Sequence, residues 1–239
     1  MRIKSCLLIM AMALVFASCG KDPEPSPIKS FSVLGDSFSA YEGTVYPETN
    51  DVWCYDRIGF TGVEQMWWYQ VASSTGWVLD RNNSFSGSLI SNFRDYNAGP
   101  YYSPHSFIRR MDELGNPDVI FVFGGTNDVW NSASSGDFVY SDWTEDQLET
   151  YRPALAYLFD NLKQLYPNAE VYFLIDMSLY DYESEGQRFV NSVHTIATQY
   201  QIECIDLYDV HKDWKHPDIQ GQEDIARQVI EAVLDEVNV

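Results

Sequence analysis

An α/β architecture is predicted for this 239-residue chain: three layers (α/β/α), with helices on both faces of a central parallel sheet of about five strands. Three observations predict it. Short strand-like runs alternate along the chain with stretches of helical periodicity. Three of those runs are almost continuously apolar, as strands covered on both faces must be. Segments rich in Gly, Asn, Asp and Ser follow several of the runs, at the sheet edge where such folds gather their chemistry.

Residues 1–18 stand apart from the fold. Met1-Arg-Ile-Lys4 is a basic start, and an apolar stretch over 7–16 is too short to span a bilayer. Phe16-Ala-Ser-Cys19-Gly places small residues before a cysteine. This pattern resembles a bacterial lipoprotein signal, which implies cleavage before Cys19 and lipidation of its thiol. Gly20, rather than an aspartate, implies outer-membrane retention, periplasmic or surface-exposed, in a Gram-negative cell. Pro23, Pro25 and Pro27 stiffen a spacer over 19–27. One folded domain is expected over 28–239.

Within that domain strands are predicted at 31–34, 77–80, 119–123, 171–175 and 203–207. Helical patterns fall between them. One covers 63–73. A second covers 144–166, with Leu148, Tyr151, Leu155, Leu158, Leu162 and Leu165 at steps of three and four. Thr144 and Gln147 fit a capping box at its start, and Pro153 predicts a kink or break inside it. The others cover 185–199 and 221–237, the last with Ile225, Val229, Val233 and Val237 on one face. Two stretches, 42–62 and 94–110, are long, aromatic and aperiodic, the profile of functional or mobile loops.

Composition narrows the function. The net charge of −20 disfavours nucleic acid as a partner, because phosphate recognition needs basic patches, and none is expected. It also disfavours electrostatic adsorption to anionic lipid. Of four cysteines, Cys6 lies in the leader and Cys19 carries the expected lipid, leaving Cys54 and Cys204. An oxidising compartment permits a disulfide between them, but two free or buried thiols is the simpler reading. No clustered His/Cys spacing suggests a metal, and no cofactor is expected.

Four segments carry candidate chemistry. The first run ends in Gly35-Asp36-Ser37, presenting a hydroxyl that becomes a nucleophile only beside a base. Asp213-Trp-Lys-His216-Pro217 offers that base, His216, with an aspartate three residues earlier as its orienting partner. His105, His194 and His211 lack such surroundings and read as structural or solvated. Asn82-Asn-Ser-Phe-Ser-Gly87-Ser and Gly124-Gly-Thr-Asn127-Asp128 supply donors for an oxyanion, the Gly87 N–H and the Asn127 side-chain amide. Turn chemistry explains each segment singly. It does not explain why nucleophile, donors and base all follow parallel strands, which share one carboxyl-terminal edge.

These segments resemble the SGNH hydrolases, or GDSL esterase/lipase superfamily. Gly35-Asp36-Ser37 is similar to block I, Gly87 to the glycine of block II, Gly125-Thr-Asn127-Asp128 to block III and Asp213-Trp-Lys-His216-Pro217 to block V. Phe38 stands where the family's common name has leucine, and Ser84 where block II often has glycine. The resemblance implies a flavodoxin-like sheet and a Ser37–His216–Asp213 triad, with Asp213 orienting the imidazole. It further implies an oxyanion hole of the Ser37 N–H, the Gly87 N–H and Asn127, with Asp36 and Asp128 fixing turns. The implied activity is ester hydrolysis through an acyl-enzyme. Trp53, Tyr55, Trp67-Trp68 and Tyr101-Tyr102 suit stacking on sugar faces, pointing to a short-chain (acetyl) esterase acting on carbohydrate, although Trp67-Trp68 equally suits the packing of a helix. A lipase or lysophospholipase, an acyltransferase, and a noncatalytic carbohydrate-binding lipoprotein on the same scaffold remain alternatives.

Overall fold

The computed structural model describes residues 28–93 and 103–235. The expected signal segment, Cys19, the proline spacer, Tyr101-Tyr102 and Val237 lie outside the described residues. Five parallel strands form the sheet: β1 (Ser30–Gly35), β2 (Val78–Ser84), β3 (Val119–Phe123), β4 (Glu170–Asp176) and β5 (Glu203–Leu207). Their order is β2-β1-β3-β4-β5, the flavodoxin-like arrangement. Every pairing is parallel. The predicted three-layer α/β/α class is therefore the observed one.

The alternation of strand side chains explains the layers. Phe31, Val33, Val119, Phe121, Tyr172 and Leu174 pack on one face. That face is covered by α1 (Trp67–Thr75) and by the last helix, α6 (Ile219–Asp235). Leu34, Ile120, Val122, Val171 and Phe173 point the other way. Chain order fills the space between α1 and α6 with α2 (Phe107–Arg110), α3 (Thr126–Trp130), α4 (Tyr151–Leu165) and α5 (Glu183–Tyr200). Of these, α4 and α5 supply most of the second core.

Differences from the predicted boundaries have local causes. The 144–166 pattern resolves into a 3-10 turn, Gln147–Glu149, and α4. The capping box forms at the turn: Gln147 N donates to Thr144 Oγ1 (3.3 Å) and Thr144 N to Gln147 Oε1 (2.9 Å). Pro153 then falls in the first turn of α4, where its missing N–H costs no helical bond. Strand β2 runs four residues beyond its predicted end, through polar Arg81-Asn-Asn-Ser84. Its register against β1 shifts between Phe31 and Val33. The Ser32 hydroxyl spans the irregularity, accepting from Arg81 N (3.1 Å) and donating to Leu114 O (2.8 Å). Cys54 and Cys204 are free thiols, Cys54 exposed. Burial and the neighbouring carboxylates of Asp206 and Glu203 push the Cys204 thiol up to about 12. Among the described residues no helix is long and apolar enough to cross a membrane.

Candidate active site

Strand β1 delivers Gly35-Asp36-Ser37 to the carboxyl edge of the sheet, and the loop is set by its own aspartate. Asp36 Oδ1 accepts from Phe38 N (2.9 Å), and Asp36 O accepts from Ser39 N and Ala40 N, both at 3.1 Å. The expected turn-fixing role of Asp36 is thus visible as geometry. Asp36 is buried, and burial, with Asp128 and Asp176 nearby, raises its carboxyl to about 7 against the pull of the Phe38 N–H and of Arg110.

Donors from distant elements pin the same loop. Tyr55 Oη donates to Ser37 O (2.7 Å). Trp67 Nε1 reaches Ser39 Oγ, while Trp68 Nε1 and Asn82 Nδ2 both reach Ser39 O, each at 3.0 Å. Gln222, fully buried on α6, donates to Phe38 O (3.1 Å) and accepts from Trp67 N (2.8 Å). The Trp67-Trp68 pair is therefore a packing element, buried against the core, and its indole N–H groups secure the nucleophile loop.

His216 comes from a short antiparallel hairpin, β6 (Lys212–Asp213) and β7 (His216–Pro217), just before α6. Its Nε2 lies 3.1 Å from Ser37 Oγ. To accept the hydroxyl proton Nε2 must be bare, which assigns the ring proton to Nδ1. Burial, together with the ammonium groups of Lys212 and Lys215, lowers the imidazole to about 4, so the ring is neutral at physiological pH. Lys212 bonds Asp176 Oδ2 and Ser178 Oγ, fastening the hairpin to the end of β4.

One expectation is corrected here. Asp213 does not bond to His216 Nδ1, which is buried without a hydrogen-bond partner. Backbone pairing holds Asp213 opposite His216. The ring turns inward beneath Trp53, whereas Asp213 stays exposed. Trp53 lies flat on the imidazole, centroids 3.7 Å apart and planes 4° apart, and Phe38 meets it edge-on at 5.5 Å.

The residues expected to donate to an oxyanion follow β1, β2 and β3 at the same sheet edge. Gly87 adopts φ 78°, a left-handed conformation that glycine takes without strain. Among the described residues neither the Ser37 nor the Gly87 N–H is spent on an acceptor. Asn127 is buried at the start of α3, after Gly125 at φ 95°, where a Cβ would strike the Phe189 ring. Its Nδ2 donates to Asp36 Oδ2 (3.1 Å) and Ser88 O (3.0 Å). Both amide hydrogens are committed, so Asn127 ties the oxyanion loop to the nucleophile loop and must share a hydrogen to meet an oxyanion. Asp128 accepts from Ile90 N, Ser91 N and Ser91 Oγ, again fixing a turn.

The other histidines lie apart. His211 pairs with Asp218 (2.6 Å), His194 with Asp206 (3.3 Å), and His105 stacks on Phe85. The sequence reading missed Arg110, which is buried beneath the site. Its Nη2 donates to Gly35 O (3.1 Å) and Ser88 Oγ (3.0 Å), its Nη1 to Asn83 O and Asn83 Oδ1 (2.7 Å), and its Nε to His105 O (2.7 Å). No spacing signals this residue, because its acceptors are mostly backbone carbonyls.

Comparison with known proteins agrees with the geometry. The family model of the GDSL-like lipase/acylhydrolases matches residues 29–233. A protein of Bacteroides ovatus, assigned as a GDSL-like lipase, is 41% identical with a TM-score of 0.80, over 87% of this chain and 99% of its own. A Bacteroides uniformis protein of the same assignment is 40% identical with a TM-score of 0.80, over 88% of this chain and 97% of its own. A carbohydrate esterase family 2 enzyme of Corynascus thermopiles shares the fold at 16% identity and a TM-score of 0.57, over 92% of this chain and 69% of its own. No curated protein matches the chain.

Proposed function

We propose that this chain, which belongs to the GDSL-like lipase/acylhydrolase family, is a serine esterase that removes short acyl groups, acetyl above all, from carbohydrate. The observation that carries the reading is the 3.1 Å contact between His216 Nε2 and Ser37 Oγ at the edge of the sheet. His216 takes the hydroxyl proton as Ser37 Oγ attacks the ester carbonyl. The N–H groups of Ser37 and Gly87 receive the developing oxyanion, joined by Asn127. His216 then protonates the leaving alcohol; water, its proton taken by the same imidazole, attacks the acyl carbon, and the Ser37 Oγ–acyl bond breaks as His216 returns that proton to Ser37 Oγ and the carboxylic acid leaves. The chain's own residues supply every proton transfer.

The carbohydrate assignment rests on the aromatic rim. Trp214, two residues before the base, is 78% exposed. Lys215 bridges it to Trp130, with its Nζ 5.6 Å from one ring and 4.7 Å from the other. A cavity of about 380 Å³ opens beside Tyr41, Glu42, Trp53 and Tyr55. The exposed indole of Trp214 and the half-buried ring of Tyr41 offer flat faces, which with a few polar groups suit pyranose rings better than an extended acyl tail. The signal pattern around Cys19 supports a lipid anchor, and so an enzyme working on glycans at the outer membrane.

The test compares wild type and Ser37→Ala on p-nitrophenyl acetate, butyrate and octanoate, then measures acetate released from an acetylated oligosaccharide. Removing the nucleophile is expected to cost at least about 10⁴-fold in turnover. Preference for acetate and release from the sugar support the reading. Preference for octanoate transfers it to a lipase, and turnover that survives Ser37→Ala refutes the mechanism.

A further inference from the structure

The general base of this site lacks the partner that normally holds one. His216 Nδ1 is buried and unbonded, and Asp213 is exposed. Yet the ring must keep Nε2 on Ser37 Oγ through two proton transfers. Rotation by half a turn about Cβ–Cγ would carry Nε2 away and present carbon in its place. Something must prevent that rotation.

Trp53 is built to do so. The indole covers one imidazole face at 3.7 Å with planes 4° apart. A ring that turns must sweep its edge through space the indole occupies. Phe38 at 5.5 Å and 71°, and Trp130 at 6.3 Å and 63°, abut the imidazole at steep angles and limit tilting. Parallel planes keep each ring's N–H from aiming at the other, and Trp53 Nε1 is itself buried without a partner. The contact is therefore one of faces, and it leaves the reacting edge open. It also changes during reaction: when His216 becomes imidazolium, a cation rests on the indole face, an attraction absent from the neutral state. That gain opposes the repulsion from Lys212 and Lys215.

We propose that Trp53 is the positioning residue of the base, holding the His216 imidazole by stacking in the role that a hydrogen-bonded carboxylate fills elsewhere. This rests on the assignment of Ser37 and His216 as nucleophile and base. The charged and titratable groups about the ring are Lys212, Lys215 and exposed Asp213 on its own hairpin, the Ser37 hydroxyl on the nucleophile loop, and Asp176 of β4, which is paired with Lys212.

The experiment uses the full chain and p-nitrophenyl acetate, with Trp53→Ala, Trp53→Phe, Asp213→Asn and Ser37→Ala beside wild type. Trp53→Ala should lower kcat by about 10²-fold, the scale of a misplaced catalytic group, with KM changed less than about threefold. Trp53→Phe keeps a flat ring and should recover most of the rate. Asp213→Asn should stay within about threefold of wild type, since removing an exposed carboxylate leaves the stack in place. The acid limb of kcat/KM, set by His216 near 4, should rise in Trp53→Ala as water reaches the ring, and stay low in Trp53→Phe. Trp53→Ala at the wild-type kcat overturns the proposal, as does a raised KM with kcat intact, which would make Trp53 a substrate contact. Equal impairment of Trp53→Phe and Trp53→Ala overturns it, and so does a collapse in Asp213→Asn. If Ser37→Ala is inert while Trp53→Ala is unimpaired, the stack alone fails. If Ser37→Ala is active, the underlying assignment fails.

Discussion

Replacing Arg110 by methionine tests how the site is held together. The side chain offers five N–H donors, and all five find acceptors in the structure. Methionine keeps much of the volume and removes every donor. Two acceptors retain other partners: Gly35 O still receives Phe85 N (3.1 Å), and Asn83 Oδ1 still receives Asn50 Nδ2 (3.1 Å). The Ser88 hydroxyl can turn. The carbonyls of His105 and Asn83 lose a charged donor, at up to about 1–3 kcal/mol each. Relief of the cation's own burial, which lowers Arg110 to about 9, returns part of that loss. The net destabilisation is about 3 kcal/mol, or about 6–12 °C in Tm for a domain of this size. Thermal unfolding followed by circular dichroism reads it directly. Because Arg110 joins the nucleophile strand to the oxyanion loop, kcat/KM should fall in the fraction that remains folded. Arg110→Lys, with three donors and no fork, should lie between. A Tm within about 2 °C of wild type, with unchanged kcat/KM, would refute the idea of a buried strut.

The remaining predictions concern pH. Since His216 is held near 4, kcat/KM should stay level from neutral pH down to about 5 and fall only as the ring protonates; an acid limb near 6.5 would show an imidazole exposed to water. Asp36, raised to about 7 by burial, binds its proton more tightly folded than unfolded. Between about pH 4 and 7 the unfolded chain has released that proton and the folded one keeps it, so this group's contribution to stability declines as pH rises. In Asp36→Asn the decline measured by urea unfolding should be shallower, and not absent, because Asp128, raised to about 6, acts in the same direction. Identical slopes in the two proteins would remove Asp36 from the account.

Much of the fold was legible because its signals are local. Strands β3 and β4 are largely apolar runs, and three chemical segments directly follow β1, β2 and β3, so parallel topology brings Ser37, Gly87 and Asn127 to one edge, while the antiparallel hairpin beyond β5 carries His216 there. What was illegible depends on contacts between distant parts of the chain. The polar end of β2 carries no strand pattern, because Asn82 and Asn83 are buried only by virtue of partners on Ser39 and Arg110. Arg110 and Gln222 serve backbone carbonyls, which leave no mark in a sequence, and Tyr55, read as a sugar-stacking aromatic, is buried with its hydroxyl on Ser37 O. Spacing placed Asp213 beside the base and the hairpin does pair them, but spacing is silent on which way a side chain turns. The same limit left Trp53 read as a sugar-stacking candidate, because an aperiodic loop does not show that its indole lies on His216.

Ser37 and His216 are 179 residues apart, and Trp67 and Gln222 are 155 apart. The nucleophile is therefore made early in synthesis and armed late. Until the β6–β7 hairpin is made Ser37 has no base, and until α6 docks its loop lacks the Gln222 brace. A chain that ends before His216 is expected to hydrolyse no ester, which a truncation assayed on p-nitrophenyl acetate would check. This order of assembly acts as a safety catch, because the reacting pair meets only when the end of the chain is in place.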